Sequence, residues 1–266
     1  MTEQVSSNFP APITTLAITS ADAASTMEKM REASPDGFTM LNLDKIAFAT
    51  ADNYTWNVPT EDGPDPRRYL DVIILHHHPA RQRYSGPYDM NNPTPPVCIS
   101  YDGIRGQGEP GGLCAKCVYY HQVGSNAECR PYRWLYLLFP DSQFPTWLSL
   151  PRTSLSNRLV SGIKRYLVGL AKGGRGKVKG GLWPWEVVTR IGLAKRERGA
   201  GMVATFTEGE KLPAALAVQV REYAQNFKTS LTFPTMVSLG SDPTAPSEDY
   251  DDLEEGPDEG DGPDFS

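Results

Sequence analysis

The chain has 266 residues, 39% of them hydrophobic, with 24 glycines and 23 prolines, which suits a loop-rich globular body of one large or two small domains. No run of 18 apolar residues exists to cross a membrane, and Met1–Pro12 lacks the basic-then-apolar order of a secretory signal, so a cytoplasmic protein is expected. The net charge of −6 conceals an asymmetry: residues 241–266 hold eleven acids and no base, leaving 21 acids against 26 bases in residues 1–240.

Residues 1–36, rich in Ser, Thr and Ala, read as a flexible arm with one helical stretch, Asp22–Ala33, that Ser20 can cap. Residues 37–240 read as the folded domain. Phe38–Thr50 alternates loosely, as one or two strands do, and Tyr69–Leu75 is a buried-strand run. Residues 79–112, crowded with Pro and Gly, read as loop. Arg133–Phe139 and Phe144–Leu150 form a hairpin about Pro140-Asp141-Ser142. Leu155, Leu159, Ile163, Leu167 and Leu170 recur at helical spacing, with Thr153 or Ser154 as cap and Gly173-Gly174 as stop. Strands follow at Trp185–Leu193 and Met202–Phe206, then a helix at Pro213–Phe227 with Leu216, Val220, Tyr223 and Phe227 along its buried stripe. Short strands, one central helix and Gly/Pro turns predict a mainly β domain, a small OB-fold-like barrel with one or two packed helices. Residues 241–266 lack apolar periodicity and are expected to be disordered.

Cys98, Cys114, Cys117 and Cys129 fall within 32 residues, the middle pair spaced Cys-x-x-Cys. In a reducing compartment four such thiols point to a structural Zn²⁺ stapling an insertion around residues 98–129, since four thiolates leave no open position for catalysis. His121 is an alternative ligand, and a redox Cys-x-x-Cys or plain buried thiols are the other readings. His76-His77-His78 closes a predicted strand, and a strand end entering a polar loop is favoured there over a second ion.

Single strands of nucleic acid are held by a basic groove and by aromatic rings that stack on bases. Arg152–Arg198 holds twelve bases against Glu186 and Glu197. Tyr132, Trp134 and Tyr136 alternate beside Arg130 and Arg133, giving either a stacking platform over Leu135, Leu137 and Phe139 or a strand buried on both faces. The candidate contacts continue with Arg158, Lys164 and Arg165 on the helix and with Arg175, Lys177 and Lys179 in a glycine-rich loop. Trp185 and Arg190 on the next strand complete the set. That loop is not an NTPase phosphate loop, because Ala171 and Val178 stand where a Gly and a Ser or Thr are needed. No Asp-x-Asp or His-x-x-x-His pattern in residues 1–240 suggests the alternative of a zinc-containing nuclease or primase, so a non-enzymatic binder is expected; strand annealing is the neighbouring alternative.

The ending Asp258-Glu259-Gly260-Asp261-Gly262-Pro263-Asp264-Phe265-Ser266 resembles the acidic, phenylalanine-tipped end of bacterial and phage single-stranded-DNA-binding proteins. The resemblance implies an OB-fold, coating of single-stranded DNA in replication or recombination, and recruitment of replication partners through Asp261, Asp264 and Phe265. Some phage members of that family carry a zinc-binding insertion. Ser266 departs from the pattern by following the phenylalanine.

Overall fold

The computed structural model describes residues 43–47, 54–86, 95–121, 128–155, 162–174, 176, 179–195 and 202–231, with Leu16, Ser25, Glu28, Lys29 and Glu32. The chain divides into Met1–Thr235 and Met236–Ser266, and the second part lies wholly outside the described residues. In the first, Ser25, Glu28, Lys29 and Glu32 of the Asp22–Ala33 stretch are helical. The rest is mainly β. Strands β1 (Lys45–Ile46), β2 (Trp56–Thr60), β3 (Gly63–Arg67) and β4 (Leu70–Arg83) precede a run of short ones, β5 (Cys98–Ser100), β6 (Arg105–Gly108) and β7 (Gly112–Leu113). Then come β8 (Cys129–Leu138), β9 (Thr146–Pro151), helix α1 (Ile163–Ala171), β10 (Val187–Lys195), β11 (Met202–Lys211) and helix α2 (Ala214–Ser230). No described helix is long and apolar enough to cross a membrane.

Strand β4 organises the sheet. One edge pairs with β8 from Ile73 to Arg83, while the other meets β10 at Leu70–Val72 and β5 at Arg81–Arg83. The order is therefore β1-β9-β8-β4, branching to β10-β11 at one end of β4 and to β5-β6-β7 at the other. β2 and β3 form a separate hairpin. The sheet stays open, so the expected closed barrel does not form among the described residues. β9 ends at Pro151, which has no N–H to extend a ladder, and the chain turns at Arg152–Ser154. Ser154 Oγ there accepts the N–H of Ala204 on β11 at 3.0 Å, so it bridges strands rather than capping the helix.

Both faces of the sheet are covered. Val72 and Ile74 of β4, Leu135 and Leu137 of β8 and Ile191 of β10 pack under Ile163, Tyr166 and Leu170 of α1, with Trp56 and Val58 alongside. On the opposite side Ile73, Leu75, Leu138 and Val188 pack under Val220, Tyr223 and Ala224 of α2. Alternate residues of β4 thus serve different cores, which is why its first half reads as a nearly continuous apolar run, and Val187 and Val188 of β10 divide in the same way. Several expected boundaries move: residues 79–112, read as loop, also hold β5, β6 and the start of β7, and β8 and β11 extend to Cys129 and Lys211. The helix starts at Ile163 rather than Leu155, residues 156–161 being outside the described set. Trp185 lies in a tight turn, Pro184–Glu186, ahead of β10. β4 also runs on through the three histidines and Pro79 into the expected loop. Its edge away from β8 has no strand partner between Ile73 and Ala80 among the described residues, and an unpaired edge tolerates proline.

The aromatic row on β8 is core. Trp134 and Tyr136 are 1% and 0% exposed. Phe227 of α2 lies 5.2 Å from the Tyr136 ring, and Trp147 and Tyr101 lie 5.3 and 5.6 Å from Trp134. A base cannot reach either ring without displacing these neighbours, so the two residues are withdrawn as stacking positions. Trp134→Ala is expected to cost about 3–5 kcal/mol of stability by cavity formation. Urea unfolding should show a lower midpoint at unchanged slope; near-native stability would return Trp134 to the surface.

Candidate nucleic-acid interface

The insertion between β4 and β8 brings all four cysteines to one small cavity of about 20 Å³. Register does half of this. Cys98 on β5 and Cys129 on β8 both lie opposite Arg83 of β4, from its two sides. A tight turn does the rest, with the Cys117 N–H donating to the Cys114 carbonyl at 3.0 Å. Gly106 is required by the packing, because a Cβ there would stand 2.8 Å from the Cys98 sulfur. All four thiols are free of disulfides. Burial pushes the Cys98 and Cys114 thiols above their ordinary pKa, and Arg81 Nε donates to Cys129 Sγ at 3.4 Å. Among the described residues no three Cys, His, Asp or Glu side chains are set as a metal-holding group.

Next to this cavity runs a groove of about 700 Å³. Its cations are Arg81 from β4, Arg133 from β8, Arg152 from the turn after β9 and Lys164 from α1; its rings are Tyr120 and Tyr132; Pro79, Ile104 and Leu155 supply apolar walls. The Arg81 guanidinium lies 4.0 Å over the Tyr120 ring and donates to the Tyr120 carbonyl at 2.8 Å. The one acid among the described residues that line the groove, Asp102, is occupied: it accepts from Ser100 Oγ at 3.0 Å and from the Ile104 and Arg105 N–H groups at 2.7 and 2.9 Å. Burial disfavours its charge, but these bonds outweigh burial and hold its carboxyl below the ordinary value. Positive charge therefore predominates along the groove.

Of the expected contacts, Tyr132, Arg133 and Lys164 come together here. Arg130 is half-buried opposite Gln82 and does not line the groove. Arg165 and Lys179 are exposed outside it. Arg190 is committed to Asp71 by two bonds of 2.7 and 2.9 Å and lies 5.3 Å over Tyr69, so a structural ion pair replaces its expected contact with DNA. Trp185 is half-buried and stacked on Trp183, away from the groove lining. Arg158, Arg175, Lys177, Asp261, Asp264 and Phe265 lie outside the described residues. Sequence reading missed Arg81, Tyr120 and Arg152. The available signal was the Arg81/Arg83 alternation, which continues β4 past Pro79, and the Tyr119-Tyr120 pair just after the Cys-x-x-Cys. No family model, curated protein or solved structure matches the chain.

The three histidines lie behind this wall. His78 Nε2 meets the Tyr136 hydroxyl at 3.0 Å, and Arg133 donates to His77 Nδ1 at 3.0 Å. Burial first, then the Arg133 charge, pushes the His77 pKa from 6.5 down to about 4. Above pH 6.5 the folded and unfolded chains both carry neutral His77, and no stability depends on it. As pH falls from 6.5 to 4, the unfolded chain takes up a proton that the folded one refuses, so stability falls. The ideal slope of about 1.4 kcal/mol per pH unit is reduced to roughly half by solvent screening at this part-exposed site. His77→Gln keeps an acceptor for Arg133 and should flatten the decline when denaturation is measured at pH 7, 5.5 and 4.5. Equal slopes for the two proteins would mean that His77 titrates normally.

Proposed function

We propose that this chain binds single-stranded DNA non-enzymatically, coating strands exposed in replication or recombination. The observation that carries the reading is the meeting of four cations and two tyrosine rings in one groove with its single acid internally bonded. Cations spaced along a groove suit phosphates, and half-buried aromatic rings in its lining suit unpaired bases. Strand order supports an OB-like body. Taking β4, β8, β9, β10 and β11 as five strands, the first pairs with the second and fourth, and α1 stands between the third and fourth. OB-folds are partly open barrels whose second and third strands and first loop bind oligonucleotides. The groove uses β8, the turn after β9 and the insertion after β4, which are the corresponding places. The acidic Phe265 tip adds the resemblance to single-stranded-DNA-binding proteins and suggests recruitment of replication partners.

The insertion's four cysteines are the kind of donor set that takes a structural Zn²⁺, although among the described residues their side chains are not set as a metal-holding group. Cys98, Cys114, Cys117 and Cys129 are soft ligands around one ion-sized cavity, and the Arg81 donation to Cys129 suits a thiolate. Such an ion would close a loop whose own core is too small to fold unaided.

Single-strand affinity should fall steeply with salt. Replacing Arg133, Arg152 and Lys164 by Gln should lower the slope of log K against log salt by about 2, at roughly 0.7 per lost phosphate contact. Tyr120→Ala should weaken binding by about 1–3 kcal/mol if the ring stacks on a base. Gel shifts with single- and double-stranded oligomers at two salt concentrations test this; unchanged binding by the triple variant would remove the groove from the reading. Metal analysis should find about one zinc per chain, and Cys117→Ser should lower stability markedly. Freshly purified protein with no zinc and four titratable thiols would exclude the ion.

A further inference from the structure

A second groove, of about 430 Å³, shares no lining residue with the basic one. Trp183, Trp185, Lys211, Ala217, Val218 and Arg221 define it, and its size falls within the range of about 300–1,000 Å³ typical of ligand sites. The Glu186 carboxylate accepts the Trp183 N–H at 2.8 Å, and the Glu186 N–H donates to the Trp183 carbonyl at 2.9 Å, which fixes the turn. The two indoles stack at 4.8 Å and 6°. Trp185 is packed against the core under α2, so Trp183, 61% exposed, is held outward by a half-buried neighbour. Val218 beside it is 45% exposed. Apolar surface held rigidly in solvent marks an interaction site.

The rim selects the ligand. Lys211 and Arg221 are exposed and have no ion pair among the described residues, whereas the acid at this site, Glu186, is bonded within its turn. The matching chemistry is an acidic peptide carrying one large apolar side chain. This chain contains such a segment: Asp258–Ser266 has four carboxylates and a single large apolar group, Phe265. We propose that the groove receives this segment from a second copy of the chain, with Phe265 against Trp183 and Val218 and the carboxylates on Lys211 and Arg221. The contact links copies of the protein head to tail. Stacking of a nucleobase on Trp183 is the competing occupancy. It is disfavoured because the groove offers two cations over a floor of Ala214, Ala217 and Val218, against four cations in the basic groove.

The test uses full-length Phe265→Ala protein as receptor, so that its own ends do not compete, and a labelled synthetic peptide of residues 250–266 read by fluorescence anisotropy. Binding should saturate and weaken as salt rises. Phe265→Ala in the peptide, or Trp183→Ala in the receptor, should weaken it by about tenfold or more, the loss of one aromatic anchor. Val218→Asp and the Lys211→Glu/Arg221→Glu pair should do the same, and as surface changes on one helix and one strand end they check the result independently of Trp183. Undiminished peptide binding by these receptors overturns the proposal. So does a Trp183→Ala receptor that binds the peptide normally but loses affinity for an oligothymidylate, which would make the groove a base platform. Failure of the basic-groove variants to alter DNA binding would leave this result untouched, so the two readings fail separately.

Discussion

Strand β4 is the backbone that three different strands share, with β8 along most of its length and β10 and β5 at its two ends. β8 pairs from Ile73 onward, while β10 takes Leu70–Val72 and β5 takes Arg81–Arg83, with no described strand between them. The lower half is fixed between α1 and α2 by Val72, Ile73, Ile74 and Leu75, each 0–2% exposed. A register shift between Ile74 and His76 marks where the strand leaves that environment. Beyond it the same strand carries Arg81 and Arg83 into the insertion. Core and candidate site therefore hang on one piece of backbone, and the lower half supplies the rigidity that the upper half uses.

Much of the lower half was legible in the sequence. Tyr69–Leu75, the hairpin about Pro140–Ser142 and the stripe Val220, Tyr223, Phe227 follow from periodicity, because their neighbours are of matching period and close in sequence. What periodicity cannot show is the identity of the cover. The alternation of Tyr132, Trp134 and Tyr136 states that they share a face; that Phe227 of α2 covers that face is a contact across some ninety residues. Arg190 misled for the same reason, since its partner Asp71 lies 119 positions away. The β2–β3 hairpin was hidden by Pro59, Pro64 and Pro66, which are admissible because a two-stranded ribbon leaves each strand one unpaired edge.

The charge count likewise needed the structure to become an electrostatic statement. Arg67, Arg83 and Arg190 are paired with Asp65, Glu128 and Asp71 at 2.7–2.9 Å. These arginines serve the fold, and the sum along the sequence overstates what the surface presents. Arg133 differs, because its neighbour His77 is held neutral by burial and takes its hydrogen bond without cancelling its charge. A neutral acceptor orients a guanidinium while leaving the full positive charge to the groove, whereas a carboxylate in the same place would orient and neutralise it together.

Arg81 ties the insertion to the groove. It belongs to the lining of both the cysteine cavity and the basic groove, as does Tyr120. Its guanidinium is fixed by the Tyr120 ring, the Tyr120 carbonyl and the Cys129 sulfur. Tyr120 follows the Cys114–Cys117 turn by three residues, its N–H bonded to the Cys117 carbonyl at 3.0 Å. The position of the ring that faces the groove is thus set by the turn that carries two of the thiols. A rearrangement of those thiols must move Tyr120, and with it the cation stacked upon it. On the reading of a single-strand binder, the turn that carries two of the cysteines also shapes the surface proposed to meet the strand, because cavity and groove share Arg81 and Tyr120 and not merely a boundary.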